Sequence, residues 1–210
     1  MRGSIIIRSN LIIDKARKLI TELEIISDEK LISRIPFTSG EILKLIAFHR
    51  SINKSIVNVL EIGTGVGYST AWLMLGIIEA NSIPNIVSID WNRERIEIAR
   101  KYFKKYGFET FVDFRVGDAR YEILKVNIPL DIVFIDSIKE EYLYYCEKLR
   151  DKLVDGGILI SHNIFGFKAQ LKDFISEIFN KDRWITTIIE SDKEGLSISV
   201  KIKSKRNAKS

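Results

Sequence analysis

The sequence predicts a doubly wound α/β fold: a seven-stranded, mainly parallel sheet with an antiparallel last strand and a helical extension at the N-terminus. From residue 55 onward, short apolar runs rich in β-branched residues alternate with longer amphipathic segments. This alternation is typical of a parallel sheet that helices cover on both faces. Near the C-terminus two strand-like segments follow each other with no helix between them, which predicts a hairpin.

The first 54 residues are predicted to be helical, with helices over 5–27, 28–32 and 40–51. Asp28 and Ser39 are residue types that cap helix N-termini, and Pro36 disfavours helical backbone at Ile35. We therefore divide the chain into a helical extension (1–54), an α/β domain (55–203) and a basic tail (204–210).

Within the α/β domain, two predicted strands end in an acid, Asp90 and Asp136, and Gly107 lies where glycine closes a helix. The predicted strands are 57–62, 85–90, 111–116, 129–136, 158–161, 184–190 and 196–202. The predicted helices are 68–80, 92–106, 140–153 and 167–180, with a short helical turn after residue 117.

Composition places the chain among globular, intracellular proteins. Hydrophobic residues make up 46% and charged residues 29%, which is ordinary for a folded domain. Cys146 is the single cysteine and has no partner for an internal disulfide, which indicates a reducing compartment. No apolar run approaches the roughly 20 residues of a membrane span. We therefore expect a cytoplasmic protein without a membrane partner.

The net charge of +5 is concentrated near the C-terminus. A basic tail of this kind can bind nucleic acid such as tRNA, although the aromatic residues that would stack on bases do not interleave with the charges. A solvated terminus is the simpler interpretation. The basic residues concerned are Lys201, Lys203, Lys205, Arg206 and Lys209.

A glycine-rich turn after the first strand predicts a ligand site. Gly63, Gly65 and Gly67 allow positive φ and a close approach of backbone to ligand, at the strand end where open α/β sheets bind ligands. The dinucleotide fingerprint requires glycine at the first, third and sixth positions, but the sixth position here is Tyr68. A phosphate-binding loop ending in Gly-Lys-Ser/Thr is also absent. Both nucleotide classes are therefore excluded.

Glu61-Ile62-Gly63-Thr64-Gly65-Val66-Gly67-Tyr68-Ser69 resembles the first motif of class I S-adenosylmethionine-dependent methyltransferases, in particular the cation-dependent O-methyltransferases of the catechol and caffeoyl-CoA type. The segments 134–142 and 155–163 resemble that family's fourth-strand signature and the segment after it, and 195–198 resembles its last strand. These motifs occur in order over residues 30–202. The resemblance implies a Rossmann-like methyltransferase fold and a homodimer.

The resemblance also implies that S-adenosylmethionine is the cofactor. Asp90 would accept two hydrogen bonds from the ribose diol, Trp91 would lie against the adenine, and Asp118 would face the adenine amino group. Glu61 and Ser69 would help to hold the methionine end. A helix-capping role for Asp90 and core packing for Trp91 and Tyr68 remain open. The implied cofactor-binding residues are Glu61, Gly63, Gly65, Tyr68, Ser69, Asp90, Trp91, Asp118, Ala119 and Asp136.

By the same resemblance, Asp136, His162 and Asn163 occupy the family's metal-ligand positions and Lys139 the position of its general base. The bound divalent cation would activate the acceptor hydroxyl. The family has aspartate where this chain has His162, and a set with one carboxylate, one amide and one imidazole suits Mn²⁺, Fe²⁺ or Zn²⁺ better than Mg²⁺. Two other interpretations stay open: His162 acts as a base without metal, or it is only a structural residue.

The leading functional hypothesis is methyl transfer to a hydroxyl of a small aromatic, catechol-like acceptor. We expect the mouth of the acceptor site to be lined from the helical extension and from the segment after Asn163. Methylation of a hydroxylated tRNA base and non-catalytic binding of S-adenosylmethionine remain as alternatives. The expected mouth residues are Ile35, Phe37, Thr38, Phe165, Phe167 and Lys168.

Overall fold

The computed structural model describes residues 2–203, with side chains from residue 10 onward. The basic tail, 204–210, therefore lies outside the described residues. The helices are α1 (Arg2–Glu29), α2 (Phe37–Ser51), α3 (Tyr68–Glu79), α4 (Arg93–Tyr106), α5 (Ala119–Glu122), α6 (Tyr142–Arg150) and α7 (Lys172–Ile178). The strands are β1 (Ile56–Ile62), β2 (Ile83–Asp90), β3 (Val112–Val116), β4 (Leu130–Ile135), β5 (Leu153–His162), β6 (Trp184–Ile189) and β7 (Leu196–Lys201).

The seven strands form one sheet in the order β3-β2-β1-β4-β5-β7-β6. Neighbouring strands from β3 to β5 pair in parallel, while β7 runs antiparallel to both β5 and β6. The predicted doubly wound, mainly parallel fold with an antiparallel last strand is confirmed. The strand order reverses direction between β1 and β4, so the carboxyl ends of these strands flank the crevice where doubly wound sheets bind ligands.

The sheet separates two hydrophobic layers. One contains Leu19 of α1, Leu43 of α2, Leu73 of α3 and Phe103 of α4. The other contains apolar side chains from α6 and α7. Cys146 is among them, and burial raises the pKa of its thiol to about 12. Because both faces are covered, β4 is buried along its whole length.

The helical extension differs from the prediction at both breaks. α1 continues through Asp28 to Glu29, so the predicted separate helix over 28–32 is wrong. α2 begins at Phe37, directly after Pro36, because proline tolerates a helix start where an N–H has no partner. Ser39 therefore lies inside α2 and is not its cap; it is buried and its hydroxyl donates to Asp192 at 2.6 Å.

Two other elements, β5 and α7, depart furthest from their predicted bounds. β5 begins at Leu153 and so includes the Asp155-Gly156-Gly157 segment, which has the composition of a turn. The register of the paired strand β4 shifts between Leu130 and Ile132. A β-bulge absorbs the extra residues, with Gly156 at φ +71°. The helix predicted over 167–180 is reduced to α7, Lys172–Ile178.

Helix α4 is closed by Gly107 as predicted, but its N-terminal cap is Asn92 and not Asp90. The side chain of Asn92 accepts a hydrogen bond from Arg95 N at 3.1 Å, and Gly107 closes the helix in the left-handed region. Among the described residues, no helix has both the length and the apolar character needed to cross a membrane.

Candidate active site

The glycine loop leaves β1 at Ile62 and enters α3 at Tyr68. Gly63, Gly65 and Gly67 have φ values of +102°, +53° and +91°, the left-handed region that glycine adopts without strain. A Cβ atom on Gly63 would lie 2.0 Å from the carbonyl oxygen of Asp136. The loop therefore needs glycine to pack against the end of β4, which brings β1 and β4 together at the crevice.

Glu61 lies beneath this loop and is completely buried. Its carboxylate accepts hydrogen bonds from Ser69 at 2.5 Å, Ser88 at 2.5 Å and Thr70. Burial raises the pKa of Glu61 to about 7, although the three hydroxyl donors oppose this change. Glu61 does not line the crevice; the structure gives it the task of holding the start of α3, including Ser69, in place.

Two adjoining cavities lie at the carboxyl ends of the strands, with volumes of about 580 and 470 Å³. The glycine loop, α1–α2 connection and β5 end line the first cavity, and the ends of β2 and β4 line the second. Four residues line both cavities and so form their boundary: Gly63, Asp90, Arg95 and Asp136.

Asp90 stands at the boundary of the two cavities with both carboxylate oxygens held. One accepts from Gly65 N at 2.9 Å and the other from Asn92 N at 2.9 Å. A carboxylate has about four acceptor sites, so capacity remains for a ligand. The capping role is taken by Asn92, which leaves Asp90 to fix the glycine loop.

The second cavity contains the other predicted residues of this region. Trp91 is 69% exposed on its wall, which excludes the core-packing interpretation. Asp118 and Ala119 line it at the start of α5, and the Asp118 carboxylate is paired with Arg120 at 2.5 Å, which lowers its pKa. Ile138, which sequence reasoning missed, adds an exposed apolar side chain to the cavity.

Tyr68 and Ser69 line the first cavity at the start of α3. Tyr68 is also packed as a core residue, with its ring edge-on to Trp72 at a centroid distance of 6.2 Å. The Arg34 guanidinium lies 5.1 Å from the Tyr68 ring centroid, and the phenol oxygen has no protein partner. Core packing and exposure to the cavity therefore coexist at this residue.

Lys139 and Asp136 meet at the wall of the first cavity. Lys139 Nζ lies 3.1 Å from Asp136 Oδ1 and 2.9 Å from the Tyr142 hydroxyl, and also 5.6 Å from the Phe167 ring centroid. Burial alone would raise the pKa of Asp136, but the neighbouring His162 and Lys139 outweigh burial and lower it. The site therefore keeps a carboxylate beside two nitrogen groups.

His162 lies between two carboxylates at the end of β5, and its side chain is 5% exposed. Nε2 is 3.2 Å from Asp192 Oδ2 and Nδ1 is 3.4 Å from Asp136 Oδ2, but only the Asp192 contact has hydrogen-bond geometry. Burial would lower the pKa of His162, and the two carboxylates more than offset this and raise it.

The predicted metal ligands Asp136, His162 and Asn163 line one cavity. Across residues 2–203, no group of three His, Cys, Asp or Glu side chains could hold a metal ion, so a site here needs the amide of Asn163. The buried, unpartnered Nδ1 of His162 beside the Asp136 carboxylate fits a divalent cation. Asn163 has φ +66°, which turns the chain sharply after β5.

The mouth of the first cavity is smaller than predicted. Ile35 and Phe167 line it, whereas Phe37 packs on Trp72 with ring centroids 5.4 Å apart and Thr38 donates to the carbonyl of Ser191. Phe165 and Lys168 stack on each other, with 5.3 Å from Nζ to the ring centroid, and line a separate surface depression. The aromatic side chains that line the first cavity are therefore Phe167 and Tyr68.

Sequence reasoning missed Asp192, Arg34 and Arg95. Arg34 lies in the α1–α2 connection and Arg95 on α4, and both line the first cavity, but an arginine at either kind of position is ordinary on a protein surface. The Ser191-Asp192 pair reads as a hairpin turn, and Asp192 does accept from the turn's backbone N–H groups. Its additional contact with His162, 30 residues away, has no local signal in the sequence.

Part of the basic C-terminal segment is described. Lys201 donates to the carbonyl oxygens of Arg150 and Leu153 at 2.7 and 2.6 Å. Its ammonium group therefore links the end of α6 to the start of β5. Lys205, Arg206 and Lys209 lie outside the described residues. The described part of this segment therefore adds nothing to the tRNA hypothesis.

Comparison with known proteins places these features in a family. A family model described as O-methyltransferase matches residues 17–183. The chain is 32% identical over 108 residues to a caffeoyl-CoA O-methyltransferase of Zinnia elegans. The matched residues make up 49% of this chain and 43% of that protein. The chain therefore spans less than half the length of this relative.

Solved structures share the fold. An O-methyltransferase from Bacillus cereus in complex with SAH has a TM-score of 0.75 and 21% identity, covering 88% of this chain and 90% of that chain. An SAH-bound methyltransferase of Podospora anserina has a TM-score of 0.74 and 20% identity, covering 91% and 88%. With the family model matching most of its length, the chain belongs to the O-methyltransferase family.

Proposed function

We propose that this protein transfers a methyl group from S-adenosylmethionine to a hydroxyl of a small aromatic, catechol-like acceptor. The observation that carries the proposal is the pair of adjoining cavities at the β1–β4 switch point, which share Gly63, Asp90 and Asp136. A donor with an adenosine at one end and an amino acid at the other needs two such compartments, with a boundary that leaves room for the ligand to pass between them.

The second cavity is proposed to hold the adenosine. Asp90 receives the ribose diol with its free acceptor capacity, while Trp91 covers the adenine and Asp118 with Ala119 borders its edge. The first cavity holds the methionine end beside Gly65, Tyr68 and Ser69, and Glu61 supports this region from below through its hydrogen bonds. These assignments follow the family resemblance together with the lining of each cavity.

The acceptor is proposed to enter the rest of the first cavity, below the α1–α2 connection of the extension. Its hydroxyl oxygen attacks the donor methyl carbon as the carbon–sulfur bond breaks, which leaves S-adenosylhomocysteine. Positioning dominates such an in-line displacement. Lys139, which faces the cavity beside Asp136, is proposed to take the hydroxyl proton.

Asp136, His162 and Asn163 would hold a divalent cation in this cavity. When bound, the cation supplies Lewis-acid activation of the acceptor hydroxyl. Phe167 and Ile35 provide apolar surface for a flat ring. We further propose that the protein acts in the cytoplasm as a homodimer, as the resemblance and the single buried cysteine suggest.

A turnover assay tests the proposal. Purified protein with S-adenosylmethionine is incubated with a panel of catechols and with Mg²⁺, Mn²⁺ or no added metal, and products are identified by mass spectrometry. We expect a methylated catechol and a loss of about 100-fold or more in Lys139→Met, whereas Lys181→Met, an exposed control, retains activity. Binding of S-adenosylhomocysteine without any methylated product would contradict the proposed reaction.

A further inference from the structure

His162 has one nitrogen with a partner and one without. Nε2 makes a hydrogen bond with Asp192 at 3.2 Å, but Nδ1 is buried and lacks a hydrogen-bond partner, although Asp136 Oδ2 is only 3.4 Å away. A buried nitrogen left without a partner costs free energy. The position of Nδ1 therefore calls for a ligand that both this nitrogen and the Asp136 carboxylate can bind.

Asp192 determines which nitrogen of His162 carries the hydrogen. A carboxylate only accepts, so Nε2 must donate, and Nδ1 of the neutral imidazole keeps its lone pair. Asp192 cannot turn away, because Oδ1 accepts from Glu194 N at 2.7 Å and Gly195 N at 2.8 Å, and Oδ2 accepts from Ser39 Oγ at 2.6 Å. The carboxylate is 9% exposed and fixed from three elements.

We infer that Asp192 is a positioning residue that makes Nδ1 of His162 a metal ligand, and that the resulting site selects Mn²⁺ or Zn²⁺ over Mg²⁺. This inference rests on the proposed function for its place in the catalytic cleft. Histidine ligands commonly donate their second ring N–H to a carboxylate in this way. One imidazole nitrogen and one carboxylate give Mg²⁺ less charge and fewer hard oxygens than it prefers.

His162 Nδ1 and Asp136 Oδ2 are close enough together for one cation to contact both atoms. The separation of His162 Nδ1 and Asp136 Oδ2 is 3.4 Å. Asn163 follows directly in the chain and lines the same cavity, where its amide oxygen would complete an N,O,O set. Asp192 lies behind the imidazole, on the Nε2 side, and so orients the ligand without binding the metal.

Direct metal binding tests the inference without donor or acceptor. The protein is titrated with Mg²⁺, Mn²⁺ and Zn²⁺ by calorimetry, alongside Asp192→Asn and an exposed control, Asp182→Asn. Asparagine keeps an oxygen for the two backbone N–H groups but turns its NH₂ toward Nε2, which forces the imidazole hydrogen onto Nδ1. We expect a preference for Mn²⁺ over Mg²⁺ of at least about tenfold, and a loss of about 10- to 100-fold in Mn²⁺ affinity in Asp192→Asn only.

A spectroscopic readout covers the case in which the variant does not fold. The chain has only two histidines, so ¹⁵N NMR of labelled wild-type protein resolves the tautomer of His162. Hydrogen on Nε2 supports the inference, and hydrogen on Nδ1 alone overturns it. His162→Asp is expected to move the preference toward Mg²⁺, since it restores a hard oxygen ligand.

Two kinds of failure are distinguishable. S-adenosylhomocysteine binding is measured on the same samples, and its absence would count against the proposed function. Suppose instead that S-adenosylhomocysteine binds, but Asp192→Asn leaves Mn²⁺ affinity unchanged or wild type binds Mg²⁺ as tightly as Mn²⁺. The role of Asp192 is then overturned, while the donor site stands.

Discussion

Glu61 is a buried carboxyl group whose position, under the glycine loop, is set by three hydroxyl donors. The hydroxyls of Ser69, Thr70 and Ser88 come from α3 and β2, so Glu61 ties the first strand to its neighbours. Burial outweighs these bonds and raises its pKa from 4.5 to about 7. The charge of this residue is therefore coupled to the stability of the loop that forms the donor site.

The raised pKa of Glu61 predicts a pH dependence of stability. The folded protein binds this proton more tightly than the unfolded chain, so the contribution of Glu61 is greatest below pH 4.5 and is lost as pH rises to about 7. Across that interval the loss is about 3 kcal/mol. Glu61→Gln cannot ionise, so we expect it to match wild type at pH 4.5 and to exceed it in stability at pH 8.

Urea unfolding of wild type and Glu61→Gln at the two pH values checks this prediction. Comparing the two proteins cancels the contributions of carboxylates whose pKa values are lowered. One of these is Asp192: burial would raise its pKa, but hydrogen bonds from Ser39 and two backbone N–H groups lower it to about 2. A difference in unfolding free energy that is the same at pH 4.5 and pH 8 would show that Glu61 is not the titrating group.

Individual residues differ in how far the sequence reveals them. Asp90 and Asp136 were predictable because each follows a buried apolar strand, and the carboxyl ends of parallel strands meet at one edge of the sheet. The burial of Glu61 away from the cavity was not predictable, because its hydroxyl partners lie as far as 27 residues along the chain. The role of Asp192 depends on a similar long-range contact, with His162.

At the scale of elements, α2 and α3 are held together by glycines. A Cβ atom on Gly76 of α3 would lie 2.1 Å from the carbonyl oxygen of Lys44, and one on Gly40 of α2 would lie 2.4 Å from Trp72 Nε1. The first contact involves backbone, which cannot move as a side chain can. This close packing attaches the helical extension to the α/β domain and positions the connection that covers the first cavity.

Gly76→Ala is therefore expected to destabilise the protein. In an unobstructed helix, alanine would stabilise by about 1 kcal/mol relative to glycine. Here the clash with Lys44 O forces α2 away from α3, and overpacking of this kind costs about 1–3 kcal/mol, so the net change is destabilising. Urea unfolding measures the change, with Leu45→Ala on the exposed face of α2 as a control expected to stay within about 0.5 kcal/mol. A stabilised Gly76→Ala variant would contradict the packing described.

The sequence predicts an element well where one hydrophobic period dominates. It predicts poorly where a local signal, such as a turn or a helix cap, is compatible with two structures. α4 forms over nearly the predicted range and closes at the predicted Gly107, although its cap is Asn92. The Asp155-Gly156-Gly157 segment has the composition of a turn, but the pairing of β5 with β4 accommodates it as a bulge. Ser39 has the composition of a helix cap, but Pro36 begins α2 three residues earlier.

At the scale of the whole molecule, the strand order determines where the site lies. The reversal between β1 and β4 opens the crevice, and the glycine loop fills its floor while the α1–α2 connection covers one side. The sequence predicted the parallel sheet from the alternation of strands and helices, and its antiparallel end from two consecutive strands with no helix between them. It could not predict the sizes of the two cavities, which depend on how the extension packs against the glycine loop.

The proposed methyl transfer requires that the two cavities bind the methyl donor. Calorimetry with S-adenosylhomocysteine tests this with Asp90→Asn, which removes one charged acceptor, and with the exposed control Asp113→Asn. We predict one-site binding to wild type and to the control, weakened by about tenfold or more in Asp90→Asn, because hydrogen bonds to a charged group contribute about 1.5–3 kcal/mol. Absence of binding to wild type would contradict the proposed donor site, and equal binding by all three proteins would contradict the role of Asp90 in it.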